Sequence, residues 1–172
     1  MRTYLLLTLA LAIAGCTGLP QGIQPVKGFS VDRYLGKWYE IARLDHSFEH
    51  GLNNVSATYS MRKDGGVKVV NRGFSTEKNK WKQAEGKAYF MKEKTLGHLK
   101  VSFFGPFYGS YAIFELDRHY QYAFISGYNN SYLWLLSRSP EVSPELLLKF
   151  KSKARDLGFN IDNLILVNHD KK

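Results

Sequence analysis

The stretch that decides the fold is Tyr34–Arg43, Tyr-Leu-Gly-Lys-Trp-Tyr-Glu-Ile-Ala-Arg. Gly36 favours a tight backbone entry, because glycine lacks a Cβ atom and tolerates positive φ angles. Trp38 follows two residues later, where the composition predicts the start of a strand. Since alternate residues of a strand share a face, the stretch predicts two sets of side chains. One set holds Trp38, Glu40 and Ala42, and the other holds Tyr39, Ile41 and Arg43.

A second segment, Tyr132–Arg138, supplies a candidate partner for Trp38. Its apolar and aromatic residues are typical of a strand, and Arg138 stands at its end. The face of an indole ring attracts cations, and a guanidinium stacked on it contributes about 0.5–2 kcal/mol. We therefore expect Arg138 to lie over Trp38 and to close one end of a rolled sheet.

Strand-like segments recur along the chain, and turn-forming residues separate them. The candidate strands are Trp38–Leu44, Val55–Arg62, Val67–Ser75, Gln83–Phe90, Leu99–Phe104, Ser110–Leu116, Tyr122–Gly127 and Tyr132–Arg138. Eight strands joined by short turns predict an all-β fold, an antiparallel up-and-down barrel with room for one small ligand. A β-sandwich is the structural alternative, and it would not need the contact between Trp38 and Arg138.

The pattern changes to that of a helix after the last barrel strand. Ser143 is suited to cap the helix, Pro144 fits its first position, and Glu145 favours its positive end. Apolar residues then recur at helical spacing until Gly158, which predicts the helix end. The segment Leu164–Val167 predicts a short final strand.

The first residues have the features of a secretory signal. A basic start precedes the apolar run Tyr4–Ile13, which is too short to span a bilayer of about 30 Å. The segment Ile13–Cys16 resembles the bacterial lipoprotein cleavage box, which implies cleavage before Cys16 and acylation of that residue. Several acyl chains on one residue give stable anchoring. The alternative is an ordinary signal with an incidental cysteine.

These features divide the chain into a lipoprotein signal peptide at 1–15, a lipidated tether at 16–28 and one domain at 29–172. Proline and glycine in the tether predict a flexible segment. Thr17 stands where Asp favours inner-membrane retention in bacterial lipoproteins, so the resemblance implies sorting to the outer membrane. The domain is then expected on the periplasmic side.

Three blocks of the chain, taken in order, resemble the lipocalin family. They are Tyr34–Arg43 with its Gly-x-Trp, Phe103–Gly109, and Tyr132–Pro140 with Arg138. The local sequence is most similar to the bacterial outer-membrane lipocalins and to apolipoprotein D, over about residues 28–168. The second lipocalin signature, usually Thr-Asp-Tyr, is replaced by Leu116–Tyr122. The resemblance implies a lipocalin barrel with Gly36, Trp38 and Arg138 as its structural signature.

Charge and motifs argue against several other functions. The formal net charge is +9, which favours anionic neighbours such as phospholipid surfaces, but the basic residues are scattered and no nucleic-acid-binding motif accompanies them. The single cysteine allows no intramolecular disulfide and no zinc–thiolate site. Nucleophile-elbow, zinc-protease and phosphate-loop motifs are not found, so the sequence predicts neither an enzyme nor a cofactor.

Two clusters of polar residues leave alternatives open. His46 and His50 are four residues apart and could ligate a metal, but in the long first loop, Asp45–Asn54, two mobile surface histidines are the simpler interpretation. Glu40 and Glu115 would form a carboxylate pair only if the fold brings them together.

Alternation also selects candidate ligand-binding residues in the cavity. Tyr132 and Trp134 share a face with Arg138, and Trp134 provides a wide apolar wall with one N–H donor. Further candidates by alternation are Val69, Tyr89, Phe103 and Tyr111. Ordinary barrel packing is the alternative for each aromatic residue.

The family resemblance implies a fatty acid or lysophospholipid as ligand and a possible homodimer. Arg43, Lys100 or another cation near the mouth is the candidate partner of the headgroup, and large apolar residues such as Phe48 are expected on the mouth loops. The sequence therefore predicts a membrane-anchored protein that stores or transports these lipids in the cell envelope. The alternative is an envelope interaction module whose barrel is filled by its own side chains.

Overall fold

A computed structural model describes residues 17–171, so the predicted signal peptide and Cys16 lie outside the described residues. The strands are β1 (Gly36–Leu44), β2 (Leu52–Met61), β3 (Val67–Ser75), β4 (Lys80–Phe90), β5 (His98–Ser102), β6 (Gly109–Leu116), β7 (Tyr122–Ser126), β8 (Leu133–Ser137) and β9 (Leu164–Leu166). The helices are α1 (Val31–Tyr34) and α2 (Pro144–Asp156), with a 3₁₀ turn at Ile161–Asn163.

The strands β1 to β8 form a closed antiparallel barrel. Each strand pairs with the next in the chain, and β1 pairs with both β2 and β8. The predicted up-and-down barrel is therefore confirmed, and the β-sandwich is excluded. The predicted final strand is β9, which pairs with residues Ala42–Leu44 of β1 along the edge opposite β8.

A β-bulge in β1 corrects the predicted alternation of its side chains. The pairing with β8 shifts between Glu40 and Ala42, because one extra residue is inserted there. Trp38 packs in the barrel core, whereas Ile41 and Ala42 both pack in the cluster beneath α2. Arg43 then turns to the side of Glu40, to whose carboxylate it donates a hydrogen bond of 2.8 Å.

Trp38 and Arg138 lie together at one end of the barrel, as predicted. The Trp38 indole is fully buried, and its Nε1–H donates to the Tyr34 carbonyl at 2.8 Å. Phe29 and Tyr34, which precede β1, pack on the same core cluster. This end of the barrel is therefore closed by side chains, and the strand directions place the opposite end at the loops 45–51, 76–79, 103–108 and 127–132.

The predicted helix packs on the outside of the barrel. Ser143 accepts a hydrogen bond from the Leu146 amide at 3.3 Å, with Pro144 as the first helical residue. The Phe150 ring meets Phe124 of β7 edge to face, with centroids 4.9 Å apart. This second apolar cluster lies on the outer face of the sheet and leaves the interior of the barrel free.

The segment before the barrel is more ordered than a flexible tether. Ile23 is only 4% exposed and packs in the cluster beneath α2. The Val26 amide donates to the Ile113 carbonyl at 2.8 Å, and Lys27 forms an isolated bridge to Leu96. The expected flexibility is thus wrong for this part of 16–28, because its apolar residues find partners on the barrel. No helix within 17–171 is both long and apolar enough to cross a membrane.

Candidate functional site: the barrel cavity

The barrel encloses a cavity of about 460 Å³. It extends from Tyr34 near the closed end to Phe48, Phe104 and Tyr128 on loops of the opposite end, which is the mouth. Protein pockets that hold small molecules have volumes of about 300–1,000 Å³. The barrel is therefore not filled by its own side chains.

Most of the cavity wall is apolar. Its aliphatic part comes from strands spread around the barrel, with Val67 and Val69 on β3, Leu99 on β5 and Leu136 on β8. Because these groups offer no hydrogen bonds, the wall favours an alkyl chain over a polar molecule.

Five of the six residues predicted by alternation border this cavity. They are Val69, Phe103, Tyr111, Tyr132 and Trp134. Gly86 of β4 makes room for one of them, since a Cβ atom there would lie 2.8 Å from the Phe103 ring. The structure thus brings these side chains together around one space, and their contact with a ligand stays a prediction.

Tyr89 is the exception, and its predicted place in the cavity is wrong. Ala88 lines the cavity, so the next residue on β4 points to the outer face. There the Tyr89 hydroxyl donates to Asp64 Oδ2 at 2.9 Å, and its ring covers Gly66. The alternation along β4 holds, but the prediction assigned the inner face to the wrong set of residues.

Three tyrosine hydroxyls form a chain near the closed end of the cavity. The oxygen of Tyr111 lies 2.8 Å from that of Tyr34 and 2.9 Å from that of Tyr59. Burial raises the pKa of all three groups, so each hydroxyl stays protonated at neutral pH. Two hydrogen bonds use two of the three hydroxyl hydrogens, which leaves one donor in this chain.

A buried charge cluster borders the cavity between β1, β8 and the loop 45–51. Arg43 donates to Glu40 Oε1 at 2.8 Å and to the carbonyls of Glu49 and Leu52 at 2.9 and 3.1 Å. The Trp134 Nε1–H donates to Glu49 Oε2 at 3.1 Å. These bonds fasten the loop 45–51 across the mouth side of the barrel.

The two carboxyl groups of this cluster have perturbed pKa values. Burial raises the pKa of Glu40 well above its ordinary value, and the nearby Glu49 raises it further, while Arg43 lowers it. Burial also raises the pKa of Glu49, against the hydrogen bond from Trp134. Both carboxyl groups therefore hold a proton more readily than an exposed glutamate does, and the Arg43 guanidinium is the cation that opposes this effect.

His46 is part of the same region, which corrects the expectation of two mobile surface histidines. Its ring stacks on Phe48 with centroids 4.0 Å apart, and its side chain is only 6% exposed. Burial and the charge of Arg43 lower the pKa of His46 to about 4. His50 has different surroundings, since it is 77% exposed and pairs with Asp45 at 2.5 Å.

Other polar candidates predicted from the sequence fall outside the cavity. Glu115 lies on the outer face, where it pairs with Lys149 at 2.6 Å and also with Lys153, so it forms no pair with Glu40. Lys100 lies beside the outer Tyr108 ring, with its Nζ 5.1 Å from the ring centroid. Neither of these groups is available to a ligand inside the barrel.

Arg43, the other candidate headgroup cation, is not free either. Its Nη atoms are occupied by Glu40 and by loop carbonyls, and the residue is absent from the cavity lining of the described chain. The cations that do border the cavity, Arg72 and Lys82, are exposed residues of β3 and β4. The Arg72 guanidinium stacks on Trp81, 3.9 Å from the ring centroid.

Sequence reasoning missed Glu49, Tyr34 and Tyr59 as cavity residues. Tyr34 precedes the barrel strands and Glu49 lies in a loop, so strand alternation could not identify either of them. Tyr59 lies on β2, where alternation was the available signal. Glu40 shared the face of Trp38 in the predicted pattern, which was the available signal for a carboxyl group inside the barrel.

A closed antiparallel barrel of eight strands, with a largely apolar cavity reaching one end, defines a binding protein for small lipophilic molecules. The chain belongs to the lipocalin family, since the family profile described as a lipocalin-like domain matches residues 29–169. The resemblance seen in the three sequence blocks is thereby confirmed.

Two curated relatives are similar over nearly their whole length. The outer membrane lipoprotein Blc of Vibrio cholerae serotype O1 is 56% identical, covering 97% of this chain and 98% of the relative. The outer membrane lipoprotein Blc of Escherichia coli K12 is 47% identical, covering 93% and 92%. Among solved structures, insecticyanin from the tobacco hornworm shares the fold, with a TM-score of 0.69, 19% identity and coverage of 88% and 86%.

Proposed function

We propose that this protein is anchored in the bacterial outer membrane and stores or transports fatty acids or lysophospholipids in the cell envelope. It is a lipid-binding lipocalin rather than an enzyme, like the outer membrane lipoproteins to which it is similar. The observation that carries the proposal is the apolar cavity of about 460 Å³, which accepts an alkyl chain. The filled barrel that the alternative function requires is not what the structure has.

The predicted ligand contacts fit a lipid with one alkyl chain. Val69 and Tyr111 border the inner part of the cavity, and Phe103, Tyr132 and Trp134 border it nearer the mouth loops. Burying one CH₂ group in such a wall contributes about 0.8 kcal/mol, so a long chain supplies most of the binding free energy. The polar headgroup would then lie among the charged groups of the mouth side.

Membrane attachment is proposed to depend on Cys16. The cleavage-box resemblance supports acylation of this residue, and the relatives' names describe lipoproteins. The globular domain would stand in the periplasm, held by the lipid of Cys16. This arrangement would keep the barrel close to the membrane that supplies its ligand.

Native mass spectrometry of the domain expressed without residues 1–16 tests the carrier function. We expect the spectrum to contain adducts with the mass of a fatty acid or a lysophospholipid, and titration with these lipids to quench tryptophan fluorescence saturably. A lipid-free spectrum together with unsaturable titrations would refute the proposal. The same spectrum reports the oligomeric state, for which a homodimer stays a prediction.

The mouth carries exposed aromatic residues that are candidates for the contact surface of a homodimer. Phe104 and Phe107 are 76% and 69% exposed on the loop 103–108. Large exposed apolar groups commonly mark contact surfaces. If the homodimer forms through the mouth, replacing both residues by serine will shift the native mass spectrum to the monomer, whereas serine at the exposed Leu148 of α2 will not.

A further inference from the structure

The buried charged groups that face the inside of the cavity are carboxyl groups. Glu40 and Glu49 both border the space, whereas the Arg43 guanidinium lies behind them and bonds to protein atoms. Both glutamates are nearly fully buried, so their charge is poorly screened by water. A ligand group that reaches this wall therefore meets acidic partners.

A second observation concerns His46, which is not itself a lining residue but packs against the lining residues Phe48, Tyr132 and Trp134. His46 is nearly buried beside the pair, and neither of its ring nitrogens has a hydrogen-bond partner among the described residues. Its Nε2 atom lies 3.2 Å from Glu49 Oε2 without forming a hydrogen bond. Buried polar groups normally find partners, so this site has capacity for a polar group that comes from outside the chain.

We propose that the Glu40–Glu49 pair receives a protonated amine of the lipid headgroup, so that the cavity prefers single-chain lipids with an amine to free fatty acids. This inference rests on the proposed function, because it concerns the ligand of the same cavity. The ligand would donate hydrogen bonds from a primary ammonium group to the carboxyl pair, and its alkyl chain would contact the apolar wall.

The charge balance of the cluster supports this preference. Without ligand, burial raises the pKa of both carboxyl groups, and Arg43 is the cation that lies against them. When an ammonium group enters, its charge favours the ionised form of both groups, a proton held by the pair passes to solvent, and two carboxylates then balance Arg43 and the ligand. A fatty acid carboxylate would instead bring an uncompensated negative charge, unless it takes up a proton from solvent.

The other groups around the pair do not offset this acidity. His46 from the loop 45–51 is neutral at pH 7, and Tyr59 from β2 is also neutral. Trp134 from β8 contributes an N–H donor without a charge. Asp45, which precedes His46, adds to the negative potential at Glu49. The rim cation Lys82 stands on the exposed part of β4, where it suits the phosphate of a zwitterionic headgroup, whereas the Arg72 guanidinium is stacked on the outward Trp81 ring.

The test compares four probes that carry the same sixteen-carbon chain, bound to the domain without residues 1–16. They are an ethanolamine lysophospholipid, a glycerol lysophospholipid with the same phosphate but no amine, hexadecylamine and palmitic acid. At pH 7.5 we expect the ethanolamine probe to bind about tenfold more tightly than the glycerol probe, the effect of one charged hydrogen bond. Hexadecylamine should bind more tightly than palmitic acid, since it carries the amine without a phosphate, and the reverse order would overturn the amine preference.

Variants of the pair test which residues carry the preference. Glu49→Gln should reduce the difference between the ethanolamine and glycerol probes to about twofold, since a neutral amide attracts an ammonium group less strongly. Glu40→Gln should act in the same direction. Glu115→Gln, on the outer face, is the matched control and should leave the tenfold difference unchanged.

Proton counting keeps the proposal testable in the unmodified protein. Calorimetric titrations in buffers of different ionisation enthalpy should show net proton release when the amine probes bind, because the ammonium charge lowers the pKa of the two carboxyl groups. Equal affinities for the ethanolamine and glycerol probes would overturn the amine preference while the lipid-carrier function stands. Failure of all four probes to bind would instead refute the carrier function and the inference with it.

Discussion

The guanidinium carbon of Arg138 lies 4.0 Å from the centroid of the Trp38 ring, although a hundred residues separate the two in the chain. The same guanidinium donates to four backbone carbonyls, those of Lys37 at 2.8 Å, Leu35 at 2.9 Å, Arg33 at 3.0 Å and Tyr120 at 3.3 Å. One side chain of the last barrel strand thus fastens the segment that leads into the first. This contact fixes the closed end of the barrel.

We expect Arg138→Ala to lower the free energy of unfolding by about 2–3 kcal/mol, through loss of the stacking and of the charged hydrogen bonds. Urea unfolding measures this change. Lys63→Ala, at an exposed lysine of the turn between β2 and β3, should have little effect. Since Arg138 lies outside the cavity lining of the described residues, lipid affinity should stay within about twofold, and a large loss of affinity would contradict the separation of these roles.

Trp134→Phe should weaken lipid binding while the barrel remains folded. The substitution removes the N–H donor to Glu49 and part of the apolar wall, and we expect an affinity loss of about tenfold. Isothermal titration is the suitable measurement, because the change removes a fluorescent reporter. Trp81→Phe, at an outward ring that contacts Phe74, is the control and should leave the affinity nearly unchanged.

Glu40→Gln should raise the free energy of unfolding relative to the wild type, and the difference should grow as the pH rises. The pKa of Glu40 is raised in the folded state, so above the ordinary glutamate pKa of about 4.3 the unfolded state releases a proton that the folded state retains, and stability falls as the pH rises. Glutamine keeps an N–H donor and an oxygen acceptor without titrating. Unfolding midpoints of the variant should therefore match the wild type near pH 4 and exceed it at pH 8, and a variant that is less stable at pH 8 would contradict this assignment.

Burial of His46 should make the protein less stable as the pH falls, which is the opposite of the effect of Glu40. Its pKa is about 4 in the folded protein and about 6.5 when unfolded, so the unfolded state binds its proton first as the pH falls. Stability present above pH 6.5 is lost between about pH 6.5 and pH 4. His46→Phe should remove this part of the pH dependence in urea unfolding, whereas His50→Phe, at an exposed ring, should retain it.

Cys16→Ser should release the protein from the membrane fraction, because acylation needs the cysteine sulfur. Fractionation of cells that express the full chain provides the measurement. Thr17→Asp is an informative companion, since an acidic residue after the acylated cysteine should move the protein to the inner membrane. Persistent membrane association of Cys16→Ser would refute the lipid anchor.

The predicted cavity residues show which features of the barrel can be predicted from strand alternation and which cannot. Strand order, turn positions and the partnership of Trp38 with Arg138 follow from local patterns, so the barrel and α2 were predictable. Tyr89 and Arg43 were misplaced for two different reasons. An alternating pattern does not say which set faces inward on a strand such as β4, and a bulge such as that after Glu40 inverts the pattern midway.

The sequence by itself determined the class of the fold, the helix caps and the wall residues such as Trp134, because strand alternation and capping depend on near neighbours. Only the tertiary structure decided the charge inside the cavity. The loop 45–51 turns inward and brings Glu49 to Glu40 and Trp134, an arrangement that no periodicity encodes. Burial then sets the protonation of the pair, since the cost of an ionised group depends on what surrounds it in space.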